Sequence, residues 1–336
     1  MVKIGVIGCG YWGPNLIRNF NQLQEAEVVM ICDLAPEKLE KMKKLYPEVL
    51  MTQEYAKVLQ SPEIDAVVVS TQAATHYQII KDALSADKDV LSEKPLTILS
   101  EEAEELVNLS RERKRILMVS HTFLYNPAVR KMKEYIDNGS VGDIYYLHAT
   151  RTHLGLIRED VNAVWDLAAH DISIFSFLLE MQPKMVSSVG GSYLKNNRVD
   201  VAFITLTYPN GAIGNIHVGW IDSNKVREVV VVGSKRRLLF DDLNGFEPLR
   251  VYEKGVTVEM PYSDFGEFKL LLRDGDIISP KVESAEPLKL ECQHFLHCIQ
   301  TGESPLTDGV NGLNVVKVLN AIDRSLEGNG APVEIS

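Results

Sequence analysis

The feature that most restricts the fold is a set of three glycines behind an apolar, β-branched run near the start of the chain. The run covers residues 2–7, and Gly8, Gly10 and Gly13 follow it in the spacing Gly-x-Gly-x-x-Gly. A helical pattern comes next, and a second apolar run ends at Asp33. This order of strand, glycine turn, helix, strand and acid, within about thirty residues, is typical of a domain that binds a dinucleotide pyrophosphate at a helix N-terminus.

Asp33 favours NAD over NADP as the dinucleotide. A carboxylate can accept hydrogen bonds from both ribose hydroxyls, whereas the 2′-phosphate of NADP would meet a like charge. The next residues, Leu34 and Ala35, provide no Arg that would neutralise that charge. NAD is therefore the expected cofactor.

The order of predicted elements indicates two domains. Strands and helices alternate up to residue 121, which predicts a doubly wound parallel sheet of the Rossmann type. Small polar residues over 70–76 follow one of its buried strands, at the edge where such a sheet receives a dinucleotide. We therefore predict an NAD-binding Rossmann domain over residues 1–121.

The pattern changes beyond residue 121. After two predicted helices, over 127–138 and 171–180, successive strands joined by short turns run from residue 185 to 241. Pro209-Asn210-Gly211 is a hairpin signal between two of them. The chain is thus predicted to be α/β, with an α+β domain over residues 122–336 that carries a large, mainly antiparallel sheet and serves substrate binding and oligomerisation.

Charge and composition exclude several kinds of partner. A formal net charge of −11 argues against nucleic acid or an anionic membrane, and the basic triplet Lys235-Arg236-Arg237 falls at a predicted turn. No apolar run is long enough to span a bilayer. The four cysteines form no C-x-x-C motif, and the first strand begins too early for a signal peptide, so a reducing, cytoplasmic location is expected.

Two clusters could supply the chemistry of a dehydrogenase. Glu93-Lys94-Pro95 follows a predicted parallel strand, where Lys94 could hydrogen-bond a substrate hydroxyl, and an X–Pro bond is the least costly place for a cis peptide. Asp166 and His170 are four residues apart, hence on one face of a helix. A carboxylate beside a His stabilises the imidazolium that forms when the ring takes a proton. Taken alone, Glu93-Lys94-Pro95 could be an ordinary surface tripeptide, and Asp166 and His170 could be an ordinary pair on a helix surface.

In this order the glycine motif, Glu93-Lys94-Pro95 and Asp166-x-x-x-His170 resemble the glucose–fructose oxidoreductase and inositol dehydrogenase family (Gfo/Idh/MocA) over the whole chain. The resemblance implies that Lys94 binds the reacting hydroxyl, His170 is the acid/base and Asp166 supports the site, which makes these three the expected catalytic residues. Where many members carry a glycine-rich segment before the Asp, this chain has Asn162-Ala163-Val164-Trp165.

The expected contacts follow from the motifs and from the resemblance. The residues expected to contact NAD are Gly8, Gly10, Tyr11, Trp12, Gly13, Asp33, Ser70, Thr71, His76, Glu93 and Lys94. Those expected to contact the substrate are Lys94, Tyr125, Asn126, Arg158, Asn162, Trp165, Asp166 and His170.

Within the family, residues 10–15 and 122–127 look most similar to members that oxidise UDP-linked N-acetylhexosamines at the 3-hydroxyl. In the polar loop 151–162, Arg151 or Arg158 could pair with an anionic group such as a nucleotide diphosphate, although a solvated loop is the simpler alternative. A free cyclitol or monosaccharide dehydrogenase and a non-catalytic NAD-binding sensor stay open. A sensor has no use for an acid/base set.

Two further expectations concern metal and assembly. His294, His297 and Cys298 could not complete a tetrahedral set, so a half-buried helix is predicted there and no metal is expected. The second domain has more strands than its helices can cover on both faces. An uncovered face suggests pairing between subunits, and the resemblance also implies a homodimer or homotetramer.

Overall fold

The computed structural model of the chain describes residues 1–155, 157–158, 160–194, 198–259 and 269–335. It forms two compact units. The first unit comprises Met1–Tyr125 and Ala285–Asn320, and the second comprises Asn126–Ser284 and Ala321–Ser336.

A six-stranded parallel sheet forms the centre of the first unit. Its strands are β1 Val2–Ile7, β2 Ala26–Cys32, β3 Leu50–Thr52, β4 Ala66–Val69, β5 Asp89–Glu93 and β6 Leu117–Ser120. They lie in the order β3-β2-β1-β4-β5-β6. The first three strands follow one another from β1 outward to one edge, and the next three start again beside β1 and run to the other edge, so the switch point lies between β1 and β4. This is the predicted Rossmann arrangement, and its switch point is where such sheets bind a dinucleotide.

Helices follow the first strands in alternation. They are α1 Gly13–Asn21, α2 Pro36–Leu45, α3 Tyr55–Gln60, α4 Ala73–Ser85 and α5 Ser100–Arg113. All four residues of β4 are buried, as expected for a strand that is covered on both faces. Strand β3 and helix α3 were not predicted, because three and six residues are too few to show a hydrophobic period.

The second unit contains a nine-stranded sheet. The strands after β6 are β7 Ile144–Leu154, β8 Met185–Gly191, β9 Val201–Thr207, β10 Ile213–Gly219, β11 Ile221–Gly233, β12 Arg237–Asp241, β13 Leu249–Tyr252, β14 Gly255–Glu259, β15 Lys269–Arg273, β16 Ile277–Ile278 and β17 Val333–Glu334. The nine lie in the order β16-β13-β12-β11-β7-β10-β9-β8-β17, while β14 pairs separately with β15. Among the described strand pairings of this nine-stranded sheet, only β7–β10 is parallel. The prediction of a large, mainly antiparallel sheet is confirmed.

Helices cover one face of this sheet. They are α6 Pro127–Asp137 and α7 Ala169–Leu179, with a π-helical turn over Val164–Ala168 directly before α7. A Cβ built on Gly214 of β10 would lie 3.1 Å from the ring of Phe175, so α7 packs closely on β10. Among the described residues no helix is long and apolar enough to cross a membrane.

Large apolar side chains lie on the other face. Phe203 of β9 is directly paired with Val189 and with His217, whose ring stacks on it with centroids 4.3 Å apart. Tyr146 and Ile213 form another direct pair on the neighbouring strands. About half of Phe203 and of Tyr146 is exposed. This aromatic face is the uncovered one that the sequence analysis expected.

The closing helices differ from the predicted domain boundary. Helix α8 covers Pro287–Thr301 and α9 covers Gly309–Glu327. Residues 122–336 were predicted to form the second domain, whereas Ala285–Asn320 belongs to the first unit. The physical reason is packing against α1: the rings of Phe20 and Phe295 meet edge to face, and Arg18 pairs with Glu286 at 2.5 Å.

Candidate active site

The glycine turn between β1 and α1 leaves room for a ligand at one position. Gly8 has a φ of +102°, and a Cβ there would lie 2.6 Å from the carbonyl oxygen of Ser70. At Gly13 a Cβ would lie 2.1 Å from the carbonyl oxygen of Gly8, so the helix and the turn are in close contact. A Cβ at Gly10, by contrast, meets no described atom within 4 Å. Two glycines therefore serve the fold, and the space at Gly10 is suited to an approaching pyrophosphate.

The N-terminus of α1 is available to an anion. No side chain of the described residues caps it, and Pro14 occupies a first-turn position where a missing N–H costs nothing. The rings of Tyr11 and Trp12 meet edge to face before the helix, and Tyr11 is 74% exposed. The hydroxyl of Ser70 donates to the carbonyl of Gly8 at 2.8 Å, which fixes the turn from β4. Backbone N–H groups and the helix dipole thus face the position of the expected phosphates.

Asp33 is held in place by the backbone on both sides. Its carboxylate accepts from the N–H of Cys9 at 2.6 Å and from the N–H of Ala35 at 2.9 Å. A carboxylate has about four lone-pair positions, so two remain for ribose hydroxyls. The Nζ of Lys38 lies 3.6 Å from the same carboxylate. The two residues after Asp33 carry no cation, and the role of Lys38, in the first turn of α2, was not predicted from the sequence.

His76 joins two loops at the same sheet edge. Its ring is buried, with Nδ1 2.8 Å from the carbonyl oxygen of Pro95 and Nε2 3.2 Å from that of Thr71. Thr71 follows β4 and Pro95 follows β5, so the imidazole connects the ends of neighbouring strands. The expected contact of His76 with NAD stays a prediction.

Lys94 lies directly after β5. It is 6% exposed, and its backbone N–H donates to the carboxylate of Glu93 at 3.2 Å. The Lys94–Pro95 peptide is cis, as the sequence had suggested it could be. Burial among the strand ends restricts Lys94 to the lip of the sheet where a dinucleotide would lie.

A buried polar group behind this lip was missed from the sequence. The carboxyl of Glu291 on α8 accepts from the hydroxyls of Ser120 and Thr122, at 2.9 and 3.0 Å. Burial, and then the charge of Glu93, raise the pKa of Glu291 well above its ordinary value. Burial, reinforced by the cation of Lys94, lowers the pKa of His121 to about 3. The apolar period of α8 is the only signal in the sequence, and it does not reveal a buried acid.

In the second unit, Asp166 and His170 lie on consecutive helical turns. Asp166 lies in the π-helical turn and His170 in the first turn of α7. Within residues 163–171 only these two side chains are half-buried, and all the others are buried. Their pairing on one face stays a prediction. Short π-helical segments are frequent at functional sites.

The carboxylate of Asp166 is oriented by two donors. The indole N–H of the buried Trp220 donates to one oxygen at 3.2 Å, and Arg158 lies 3.3 Å from the other. An anion beside His170 is what a base needs when it becomes an imidazolium.

The two arginines of the loop 151–162 have different environments. Arg151 is buried and makes a bidentate pair with the buried Asp171, at 2.7 and 3.0 Å. Arg158 is 23% exposed and is bound to Asp160 and Asp166. The suggestion that Arg151 meets an anionic substrate is therefore wrong, because a buried carboxylate already occupies its fork. Residues 156 and 159 of this loop lie outside the described residues.

Four expected substrate residues have defined roles in packing. Trp165 is buried and its indole N–H donates to Asp323 at 2.7 Å, while Asn162 accepts from the backbone N–H of Trp165. Asn126 caps α6 by accepting from the N–H of Ala128. The buried hydroxyl of Tyr125 lies 3.2 Å from that of Thr307 in the first unit. These positions support structural roles, and substrate contact by any of the four stays a prediction.

The segment 291–298 has a structural role. His294 accepts from the N–H of Leu306 at 3.0 Å, and the thiol of Cys298 lies 3.5 Å from the same ring nitrogen. No group of three or more His, Cys, Asp and Glu side chains is arranged to hold a metal ion within the described ranges.

Comparison with known families agrees with the geometry of both units. A profile described as "Oxidoreductase family, NAD-binding Rossmann fold" matches residues 2–121. A second, described as "GFO/IDH/MocA C-terminal domain", matches residues 129–239. Together they cover well over half of the chain, and the residues of the glycine turn and Asp33 fit the dinucleotide that the first description names.

Individual relatives are distant but match over nearly the whole length. UDP-N-acetylglucosamine 3-dehydrogenase of Acidithiobacillus ferrooxidans is 24% identical over 94% of each chain. Myo-inositol 2-dehydrogenase of Thermotoga maritima is 24% identical over 97% of this chain and 96% of the relative. The structure of the WlbA dehydrogenase from Bordetella pertussis, in complex with NADH and UDP-GlcNAcA, has a TM-score of 0.82 at 20% identity, covering 100% of this chain and 98% of that one.

Proposed function

Because the chain belongs to the Gfo/Idh/MocA oxidoreductase family and is an NAD-binding oxidoreductase, we propose that it moves hydride between a secondary sugar hydroxyl and nicotinamide. The proposed substrate is a UDP-linked N-acetylhexosamine, and the proposed position is its 3-hydroxyl. Reduction of the corresponding ketosugar is the same chemistry in reverse.

The proposal depends most on Asp166 and His170. They are the two accessible polar side chains on an otherwise buried segment, and the acid is oriented by Trp220 and Arg158. An oriented carboxylate beside an accessible imidazole is suited to general acid/base work near neutral pH. A protein that only sensed NAD would not need this pair.

In the proposed reaction, His170, Lys94 and Asp166 each accept or stabilise one charge. His170 accepts the proton of the substrate hydroxyl while the C–H bond of the same carbon breaks and the C–O bond becomes a carbonyl. Lys94 donates a hydrogen bond to the oxygen and stabilises the alkoxide that develops on it. Asp166 stabilises the imidazolium of His170. NAD, when bound, supplies the hydride acceptor.

The choice of a UDP-linked sugar is supported by three observations. Residues 10–15 and 122–127 are similar to those of family members that oxidise such sugars, and one relative carries that activity in its name. Arg158, which pairs with Asp166 at 3.3 Å, is a cation suited to a diphosphate.

A free cyclitol is the competing substrate, since a myo-inositol dehydrogenase is equally similar to this chain. A nicotinamide absorbance assay separates the two. We expect NADH formation with UDP-N-acetylglucosamine to exceed that with N-acetylglucosamine or myo-inositol by at least about tenfold in kcat/KM. Equal rates with and without the nucleotide would contradict the proposed substrate. NAD binding without turnover on any of the three would favour a sensor.

We also propose that two or four copies associate through the aromatic face of the second sheet and that the enzyme works in the cytoplasm. An apolar face of this kind is costly to leave in water. The four cysteines are all buried free thiols, which fits a reducing compartment. Light scattering should give a dimer or tetramer for the wild type and a smaller species for Phe203→Asp. A monomeric wild type would contradict the assembly.

A further inference from the structure

His153 lies at the end of β7, on the face of the second sheet that α7 covers. Side chains alternate between the two faces of a strand, so His153 lies on the same face as Arg151. Arg151 makes its bidentate pair with Asp171 in the first turn of α7, directly after His170. The imidazole of His153 is half-buried, and neither the fold nor the proposed reaction has given it a role.

The neighbouring strand β10 connects His153 with Asp166. Gly219 is paired with Thr152 in a parallel register, so the next residue, Trp220, lies beside His153 on the same face. The indole N–H of Trp220 donates to Asp166 at 3.2 Å. Burial lowers the pKa of His153, and the nearby charge of Asp166 acts in the opposite direction. The imidazole is therefore neutral at neutral pH and close to the acid that supports the proposed base.

The pairing of β7 with β11, on the other side, is interrupted at His153. Four residues of β11, 222–225, face this single residue. The flanking pairs are Thr152 with Val226 and Leu154 with Ile221. The hydroxyl of Thr152 donates to a carbonyl within the bulge, that of Asn224, at 3.0 Å. Bulges are over-represented beside active sites, where they redirect a side chain or end strand pairing, so this interruption also indicates a functional position.

The surroundings of the ring favour an uncharged ligand. A Cβ on Gly155 would lie 2.3 Å from Nδ1 of His153, and Gly155 has no positive φ that would itself require a glycine. The absence of a side chain there makes room for the ring. The described residues engage the ring in one hydrogen bond, with the backbone of Leu154. A neutral imidazole has two nitrogens for hydrogen bonding, so one remains for a ligand, and a hydroxyl matches it because it both donates and accepts.

We propose that His153 binds the sugar hydroxyl next to the reacting one and is a specificity-determining residue for the configuration of the sugar. This inference rests on the proposed function and adds the residue that recognises the substituent beside the reacting carbon. Because Asp166 supports the base at the reacting hydroxyl, a ligand atom at His153 belongs to a neighbouring position of the same ring. In an N-acetylhexosamine that reacts at the 3-hydroxyl, position 2 carries the acetamido group, so the hydroxyl concerned is at position 4.

The test compares UDP-N-acetylglucosamine with its 4-epimer, UDP-N-acetylgalactosamine, in the nicotinamide absorbance assay on the full-length chain. The wild type should prefer one epimer by at least about tenfold in kcat/KM, because the other epimer leaves the polar site without its partner. His153→Leu should raise KM for the preferred epimer about tenfold, keep kcat within about threefold and reduce the preference to about twofold. His153→Gln keeps a neutral donor and acceptor and should restore most of the preference.

Two further variants separate binding from folding. Gly155→Ala keeps the imidazole but displaces it, so KM should rise as in His153→Leu while the melting temperature stays that of the wild type. His148→Leu is the matched control, because His148 is a half-buried His on the same strand and the opposite face. It should keep the KM and the epimer preference of the wild type.

The outcomes distinguish this inference from the proposed reaction. An epimer preference that is absent from the wild type, or equal in the wild type and His153→Leu, would overturn the inference. Calorimetry of both epimers with NADH present makes the comparison independent of turnover. Binding of one epimer that depends on His153, without turnover of either, would count against the proposed reaction alone. Binding of neither epimer would overturn both.

Discussion

Replacing Gly10 with Ala should separate cofactor binding from folding. Gly10 does not have a positive φ, and its new Cβ would meet no described atom within 4 Å. Ala in such a backbone changes the free energy of unfolding by about 0.4–1 kcal/mol in the stabilising direction. The melting temperature should therefore be equal to that of the wild type or slightly higher.

The same methyl group should weaken NAD. It occupies the space through which the pyrophosphate reaches the backbone N–H groups, and loss of one hydrogen bond to a charged group costs about 1.5–3 kcal/mol. The dissociation constant of NAD should rise roughly 10- to 150-fold, as measured by calorimetry.

Two other glycines complete the experiment. Gly245 also has open space around it and no positive φ, so Gly245→Ala should change the melting temperature as little as Gly10→Ala does and leave the NAD affinity unchanged. Gly8→Ala should lower both the stability and the NAD affinity, because the positive φ and the contact of the new Cβ with Ser70 strain the turn by about 1–3 kcal/mol. If Gly10→Ala folds normally and binds NAD within twofold of the wild type, the pyrophosphate does not approach the chain there.

Three further predictions concern charge. Lys38→Ala should lower the affinity for NADP more than that for NAD, because Lys38 offsets the carboxylate of Asp33 that repels a 2′-phosphate; equal losses in calorimetry would contradict this. Arg151→Met leaves Asp171 buried without its partner and should reduce the free energy of unfolding in urea by about 3–5 kcal/mol; wild-type stability would contradict a structural ion pair. Burial raises the pKa of Glu291 in the folded state above 4.5, the ordinary pKa of the same group in the unfolded chain. The wild type should therefore lose stability as the pH rises above 4.5, whereas Glu291→Gln should not lose stability by this route. The stability of Glu291→Gln relative to wild type should thus increase from about pH 5 to pH 8, and a constant difference would contradict it.

The fold of the first unit could be predicted because its signals are local. Apolar β-branched runs define β1, β2 and β4, and the glycine spacing fixes the turn that joins β1 to α1. The assignment of α8 could not be predicted, since an amphipathic helix shows only that one face is buried. The partner of that face, here α1 with Phe20, is set by packing between residues far apart in the chain.

The residues of the candidate site likewise differ in whether local sequence signals could identify them. Motif spacing identified Lys94, Asp166 and His170 as candidates, and Asp33 with its cofactor preference. It could not identify Lys38, Trp220 or Glu291, because each acts through a contact that only the folded chain creates. Arg151 illustrates the converse, since a cation in a polar loop became a buried structural pair.

The most direct test of the account is the turnover of Lys94→Ala and His170→Ala with NAD and UDP-N-acetylglucosamine. His148→Ala is a control, because His148 lies on the sheet surface beside Asn215. We predict that both active-site variants bind NAD within a few-fold of wild type and lose turnover by orders of magnitude, while His148→Ala keeps it. Wild-type turnover in either active-site variant would contradict the roles assigned to Lys94 and His170.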